Sequence, residues 1–267
     1  MIRGWLIGIV ALGISAQAEV PKGVPALLEA INGKQARVFL QGATPTTLSF
    51  TGVSSTMVNA IPVDRVARLV FFPEQDVEQL EQEVVQQTRR AHTLLEVLAP
   101  YEPYMAIPNT MQRLFLLQVN DWFVAGQDAR AEAGAAQLLA CTKEERMREH
   151  GLRYTLLLAL RSGDLAEAKA LIDGMSEGAM RQYFEAEITA VEAGAKAAMI
   201  QVTQLIAVHA NEVDWLAPTE LLAAQLYLEM GMTNSAVQTA HQVASIYQGS
   251  VMAMEAQSMM KQLDVDE

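Results

Sequence analysis

The sequence is poor in the residues that build cross-links and reactive sites. Its 267 residues include a single cysteine, Cys141. One cysteine excludes an intramolecular disulfide, so the stability of the fold must come from buried apolar surface. Hydrophobic residues make up 51% of the chain, which is enough for a sizeable core. We therefore expect Cys141 to be a small core residue.

Basic residues are also scarce. The chain has 19 lysines and arginines against 31 aspartates and glutamates, which gives a formal net charge of −12. Nucleic-acid binding depends on lysine and arginine to neutralise phosphates, so we expect no nucleic-acid partner. The same sign of charge disfavours binding to an anionic membrane surface.

Long apolar runs are absent except at the N-terminus. Arg3 is followed by an uncharged apolar run at residues 4–14 and then by Ala16-Gln17-Ala18. This order is typical of a secretory signal peptide, with cleavage expected after Ala18. Crossing a bilayer takes roughly 20 apolar residues, and this run has about half that length. The sequence thus predicts an exported protein, periplasmic or secreted, that does not span a membrane.

Motifs for catalysis, cofactor binding and metal binding are missing as well. Four histidines, His92, His150, His209 and His241, fall on different predicted helices. His92 and Glu96 share a helix face, but a metal ion would need at least one more ligand from elsewhere. The sequence contains no phosphate-binding loop, nucleophile elbow or cysteine–histidine arrangement. We predict a protein that is not an enzyme and that uses no cofactor.

Residues 19–73 are predicted to form a small β module. Four β-rich runs, at residues 36–40, 46–51, 57–61 and 68–72, are separated by turn residues. Such spacing favours a small antiparallel sheet or barrel. Because so short a module is marginally stable alone, we expect it to dock on the helical part that follows.

Residues 74–108 are predicted to form a connecting helix and a linker. Acidic residues near Asp76 suit the first turn of a helix. Apolar residues then recur at helical spacing, and they are Val77, Leu80, Val84, Ala91, Leu94 and Leu98. One long helix is therefore expected, and the linker contains Pro100, Pro103 and Pro108, which do not fit a helix interior.

Residues 109–267 repeat one pattern four times: an apolar-rich helix ends near a glycine, and a helix rich in alanine and leucine follows. The glycines are Gly126, Gly163, Gly194 and Gly231, at spacings of 37, 31 and 37 residues. Periods in the mid-thirties are typical of stacked helix-turn-helix repeats. Glycine suits these turns because it adopts the left-handed conformation that ends a helix.

The second repeat carries a Gly163-Asp164 turn followed, five residues after the glycine, by Ala168. In this turn and in the small residue at the helix contact, the sequence resembles the tetratricopeptide repeat family. Ala131 and Ala236 stand at the same offset, whereas Met199 does not. The third repeat is therefore expected to pack differently or to slip in register.

A second family feature is an aromatic residue four positions before the glycine, present here as Trp122 and Tyr227 and replaced by alanine in the other two repeats. The resemblance implies a mainly α fold: a tetratricopeptide-like α-solenoid of stacked helix pairs, preceded by the small antiparallel β module. A final helix would close the stack.

The resemblance also implies a protein or peptide partner, bound in a groove lined by the first helix of each pair. The family's ligand-facing positions, carried over by their distance from each glycine, nominate six residues: Arg113, Asn120, Arg153, Arg161, Arg181 and Gln225. Their arginines suggest a clamp for an acidic segment or a C-terminal carboxylate. The alternative is that these arginines pair with nearby glutamates on a solvated surface.

Together these features predict an exported, non-enzymatic scaffold or adaptor. An alternative is a cell-envelope structural component that self-associates through the helix beginning near Asp76. A third hypothesis is a glycan-binding or hydrolytic protein, for which the sequence nominates no residue.

Overall fold

The computed structural model describes residues 23–86 and 94–265. The predicted signal peptide at residues 1–18 and His92 lie outside these residues. Within the described parts the chain forms five strands followed by eleven α-helices. The protein is mainly helical with a small N-terminal antiparallel sheet, as the sequence predicts.

The five strands are β1 (Val24–Ala30), β2 (Gln35–Ala43), β3 (Thr47–Gly52), β4 (Val58–Pro62) and β5 (Val66–Phe71). They form one antiparallel sheet in the order β4-β3-β2-β1-β5. Sequence analysis predicted β2 to β5 but missed β1, which lies between β2 and β5. The strand buries Ala26 and Leu28, at alternate positions. Pro25 and the adjacent leucines make this alternation of buried and exposed residues hard to recognise in the sequence.

The outer edge of β5 is covered by the linker. The backbone N–H of Leu69 donates to the carbonyl of Pro108 over 2.8 Å. Two residues further on, the N–H of Phe71 donates to the hydroxyl of Thr110 over 3.1 Å. The linker thus satisfies backbone groups that an edge strand would otherwise expose.

The sheet shares one hydrophobic core with part of the helical region. A second cluster of buried apolar side chains lies within residues 156–226 and includes no residue of the sheet. The ring of Phe71 packs against Tyr101 and Tyr104, with centroids 4.7 and 5.9 Å apart. From the loop after the second helix of the first pair, the Lys143 ammonium donates to the carbonyls of Val63, Asp64 and Val66. The β module is therefore held on the helical part by both apolar and polar contacts.

Between the sheet and the repeats, the described residues form two α-helices: α1 (Val77–Val85) and α2 (Leu95–Leu98). The carboxylate of Asp76 caps α1 by accepting from the N–H groups of Glu78 and Gln79. Of the apolar stripe residues in the described parts, Val77 is half-buried, and Leu80, Val84, Leu94 and Leu98 are buried. The predicted single helix includes residues 87–93, which lie outside the described residues.

Four helix pairs and a final helix follow. They are α3 (Gln112–Val124) and α4 (Asp128–Leu139), α5 (Glu145–Ser162) and α6 (Leu165–Asp173), α7 (Ala179–Ala193) and α8 (Ala195–Val208), α9 (Val213–Glu229) and α10 (Thr233–Ile246), then α11 (Val251–Val265). Each pair is joined at one of the four predicted glycines, whose φ angles are 69°, 80°, 86° and 74°. All four glycines thus have the positive φ that favours glycine. Gly163 is left-handed as predicted, with a ψ of 10°, whereas Gly194 has a ψ of 165° and is not in the left-handed helical region.

The third pair buries an alanine at the start of its second helix as the other three pairs do, although Met199 predicted a different packing. Ala131, Ala168 and Ala236 are buried and stand at the fourth position of their helices. Gly194 directly precedes the first residue of α8, so this turn is one residue shorter than the others. Ala198 then takes the fourth position and is fully buried. The expected change at Met199 is thus a shorter turn rather than a different contact.

The helices from α3 to α11 each contact the next helix in sequence. Cys141, in the loop after α4, is buried as predicted, and its sulfur accepts a hydrogen bond from Gln112 over 3.1 Å. The final helix also contacts the second pair, because Arg153 of α5 pairs with Glu255 of α11. This contact brings distant parts of the chain together and defines the candidate site.

Candidate functional site

A cluster of ionisable side chains lies buried between α5, α7 and α11. We call it the Arg153 cluster, and its members are Arg153, Tyr154, Tyr183, Glu187 and Glu255. Only 4% of the surface of Arg153 is exposed, and the side chain of Glu255 is 14% exposed. Burying charged groups costs free energy unless they are paired, so the contacts of this arginine matter most.

The Arg153 guanidinium is only partly satisfied. Its Nη2 lies 3.4 and 3.5 Å from the two carboxylate oxygens of Glu255 and 3.5 Å from the sulfur of Met252. Its carbon lies 5.3 Å from the centre of the Tyr154 ring. Its Nε and Nη1 are buried without a hydrogen-bond partner among the described residues. The arginine therefore retains two buried donors able to receive an acceptor.

A second carboxylate lies near the same arginine. The hydroxyl of Tyr183 donates to Glu187 over 2.6 Å, one helical turn further along α7. Burial raises the pKa of Glu187, and the positive charge of Arg153 opposes that rise. Burial also raises the pKa of Tyr183 well above its ordinary value. Arg153 thus pairs with Glu255, and its positive charge also acts on Glu187 at longer range.

The first helix pair contributes Asn120, which binds Tyr154 of the Arg153 cluster. The hydroxyl of Tyr154 donates to the side-chain oxygen of Asn120 over 3.0 Å. Both residues are buried, and burial raises the pKa of Tyr154. Of the six predicted residues, the structure therefore brings Asn120 and Arg153 to one place, linked through Tyr154.

The other predicted residues lie apart from this cluster. Arg113 is exposed and pairs with Glu81 of α1. Arg161 pairs with Asp128 over 2.7 Å and lies 3.6 Å from the centre of the Phe123 ring. Gln225 is exposed on α9. Arg113 and Arg161 thus have acidic partners within the chain, as the alternative to a clamp expected.

Arg181 also has local partners. It pairs with Glu177 over 3.0 Å and with Glu185 over 2.9 Å, one helical turn to either side. Its hydrogen bond to Glu185 is the main cause of its raised pKa. The binding of a partner by these six residues stays a prediction, but the open groove expected at Arg153 is wrong, because α11 covers it.

Sequence reasoning missed Tyr183, Glu187 and Glu255. Glu255 stands three residues after Met252, so both lie on one face of α11. That spacing was available from the sequence. Its partner was not, because the contact joins residues 102 positions apart.

Two open clefts lie elsewhere on the described surface. The larger, about 790 Å³, separates α1 and α3 from the turn between α10 and α11. Its polar lining includes Glu78, Glu81, Gln82, Arg113, Gln248 and Gln257. The smaller, about 440 Å³, is lined by Glu149, Asn211, Glu212, Asp214 and Trp215. Neither lining contains a serine, a cysteine or a histidine.

Residues 23–86 and 94–265 contain no group of three or more histidine, cysteine, aspartate or glutamate side chains arranged to hold a metal ion. In the same residues, none of the helices combines the length and the apolar character that a membrane span requires.

His150, one turn before the cluster on α5, makes stability depend on pH. Burial, together with the positive charges of Arg153 and Arg146, lowers the pKa of His150 to about 4. The unfolded value is about 6.5, so the unfolded chain binds the proton first as the pH falls. This histidine therefore favours the folded state less and less between about pH 6.5 and about pH 4.

We predict that lowering the pH from about 7.5 to about 5 costs about 1–2 kcal/mol through His150 alone, allowing for its partial exposure. The variant His150→Asn should lose that part of the pH dependence. Urea unfolding of both proteins at the two pH values gives the difference, since the other titrating groups are common to both. Equal pH dependence in the two proteins would rule out this role for His150.

No family model matches the chain, and no curated protein or solved structure shows significant similarity to it. The tetratricopeptide-like assignment therefore stays a prediction from the residue pattern.

Proposed function

We propose that the protein is an exported, non-enzymatic scaffold or adaptor that binds a protein or peptide partner through its helix pairs. In this proposal the pairs form a tetratricopeptide-like α-solenoid. The N-terminal apolar run and Ala16-Gln17-Ala18 support export to the periplasm or beyond the cell.

The observation that carries the proposal is the regular construction of the four pairs. Each pair turns at a glycine with a positive φ and buries an alanine at the fourth position of its second helix. Consecutive helices then pack against one another from α3 to α11. Repeated helix pairs of this kind create extended surfaces, which proteins commonly use to bind other proteins.

Arg181 is the predicted binding residue best suited to a first test. Its side chain is 25% exposed at the start of α7, so a partner can reach it. Its two glutamate partners are local and solvated, and such pairs contribute little to stability. Replacing Arg181 should therefore affect binding more than folding.

The test is capture of partners by the tagged mature chain from the exported fraction of the source cells. We expect specific proteins to be enriched, and Arg181→Glu to lower their recovery by about tenfold, equivalent to about 1.4 kcal/mol. Arg130→Glu makes the same charge change on the exposed surface of α4 and serves as the matched control. No enrichment with the wild-type chain, or equal recovery with both variants, would contradict the proposal.

A further inference from the structure

The final helix covers the most unusual buried group of the protein. Four of its residues, Val251, Met252, Ala253 and Ala256, are buried against the rest of the chain. Its Glu255 is the carboxylate nearest to the guanidinium of Arg153. The helix is joined to α10 through a short turn in which Gly249 has a φ of 81°.

Stability alone does not account for this contact. Replacing a buried ion pair by apolar residues of similar volume is often neutral or stabilising. A buried polar network that is only partly satisfied is less favourable still. Arg153 has two nitrogens without partners, and its contacts with Glu255 are long for a charged hydrogen bond, at 3.4 and 3.5 Å. These properties are typical of a carboxylate-binding arginine whose site Glu255 fills only incompletely.

We infer that α11 is an internal ligand of the Arg153 cluster and that the partner is an amphipathic helix that replaces it. The partner helix would present a methionine or similar apolar side chain, small residues, and a glutamate or aspartate one turn later. This inference rests on the proposed function, because it names the kind of partner that the helix pairs bind.

The chemistry of the cluster supports an acidic helix. A carboxylate that approaches Arg153 more closely than Glu255 would gain hydrogen bonds to Nε or Nη1, which Glu255 leaves unused. Methionine suits an exchangeable surface because its side chain is flexible and polarisable. The sulfur of Met252 already lies 3.5 Å from the guanidinium.

Competition with α11 sets the affinity that a partner needs. A tethered helix has an effective concentration in the millimolar range, so a free helix of equal intrinsic affinity binds only weakly to the wild-type chain. Weakening the internal contact should therefore increase the affinity for an added helix without any change in the binding surface.

The probe is a fluorescent synthetic peptide of residues 249–265, titrated against the full mature chain and followed by anisotropy. We expect the variant Glu255→Lys, whose own helix is repelled by Arg153, to bind the peptide at least about tenfold more tightly than wild type. The variant Arg153→Glu should instead prefer a peptide carrying Glu255→Lys. The chain with both substitutions regains its internal pair and repels Glu255 of the natural peptide, so it should bind that peptide more weakly than wild type.

Circular dichroism and thermal unfolding establish that each variant is folded. If Glu255→Lys does not fold, Glu255→Gln, which removes the charge without reversing it, is expected to bind the peptide more tightly than wild type. The inference would be overturned if the folded variants bound the peptide with the same affinity as wild type. It would also be overturned if the affinity did not depend on the charge at position 255 of the peptide. A wild-type dimer that exchanges α11 would also overturn it by assigning the site to a second copy.

These outcomes separate the inference from the proposed function. Partner capture that depends on Arg181, combined with no peptide exchange, would keep the binding function and reject α11 as its internal ligand. Peptide exchange without capture of any exported protein would reject the proposed function and leave α11 as a displaceable helix.

Discussion

Replacing Gly151 with alanine is expected to destabilise the protein by about 3 kcal/mol, the upper part of the usual range for overpacking. In an exposed helix the same change stabilises by up to about 1 kcal/mol, because alanine favours helix more than glycine. Here α5 crosses α4 so closely that a Cβ at Gly151 would meet the backbone nitrogen of Leu139 and lie 2.7 Å from the carbonyl oxygen of Ala135. Backbone atoms cannot move aside as a flexible side chain can.

Urea unfolding measures this effect, and Gly174→Ala is the matched control. A Cβ at Gly174, which follows α6, would have its nearest neighbour at 3.5 Å, an ordinary contact. Its φ of −79° suits alanine as well as glycine. The control should change the free energy of unfolding by less than about 0.5 kcal/mol. If Gly151→Ala lowers the free energy of unfolding no more than Gly174→Ala does, the α4–α5 crossing is not as close as described.

Replacing Arg153 with methionine is expected to cost about 3–5 kcal/mol, because it leaves the Glu255 carboxylate largely buried without its cation. The double variant Arg153→Met, Glu255→Met removes the nearest charge as well and should recover most of that loss. The recovery is expected because apolar side chains of similar volume can replace a buried ion pair at little cost.

A double-mutant cycle by urea unfolding gives the interaction energy between the two residues. The single variant Glu255→Met completes the cycle. It should be destabilising, because it removes the carboxylate that pairs with the buried guanidinium. A double variant no more stable than Arg153→Met would show that Arg153 and Glu255 are not energetically coupled. The description of the cluster would then be wrong.

Local features of the fold could be predicted from the sequence because short-range interactions determine them. The turns at Gly126 and Gly163 follow from the need for a left-handed residue after a helix. The start of α1 near Asp76 follows from the preference for acidic residues at the positive end of a helix. Strand β1 was missed because its position between β2 and β5, which the local sequence does not encode, determines which residues it buries.

In the third pair the predicted small residue at the helix contact is present, but it stands one position earlier than predicted. The offset of five residues from the glycine holds only when one residue separates the glycine from the next helix. Gly194 is itself the N-cap of α8, so Ala198 rather than Met199 reaches the close contact. Counting from the start of the helix would have found the correct residue.

The candidate site was only partly predictable. Arg153 and Asn120 were nominated from their positions in the repeat, and both are buried in one network. The return of α11 to α5 was not foreseen, because no local pattern specifies which surface a terminal helix covers. Glu255 was therefore treated as an ordinary helix residue, although it supplies the main partner of Arg153.

The central claim is that α11 is a replaceable occupant of a binding surface built by the helix pairs. Hydrogen exchange on the full wild-type chain tests it most directly by comparing the amides of α11 with those of α10. We predict that α11 opens independently and exchanges at least about a hundredfold faster than the buried part of α10, a difference of about 2.7 kcal/mol in opening free energy. Equal protection of the two helices would contradict the claim, since α11 would then open only with the rest of the fold.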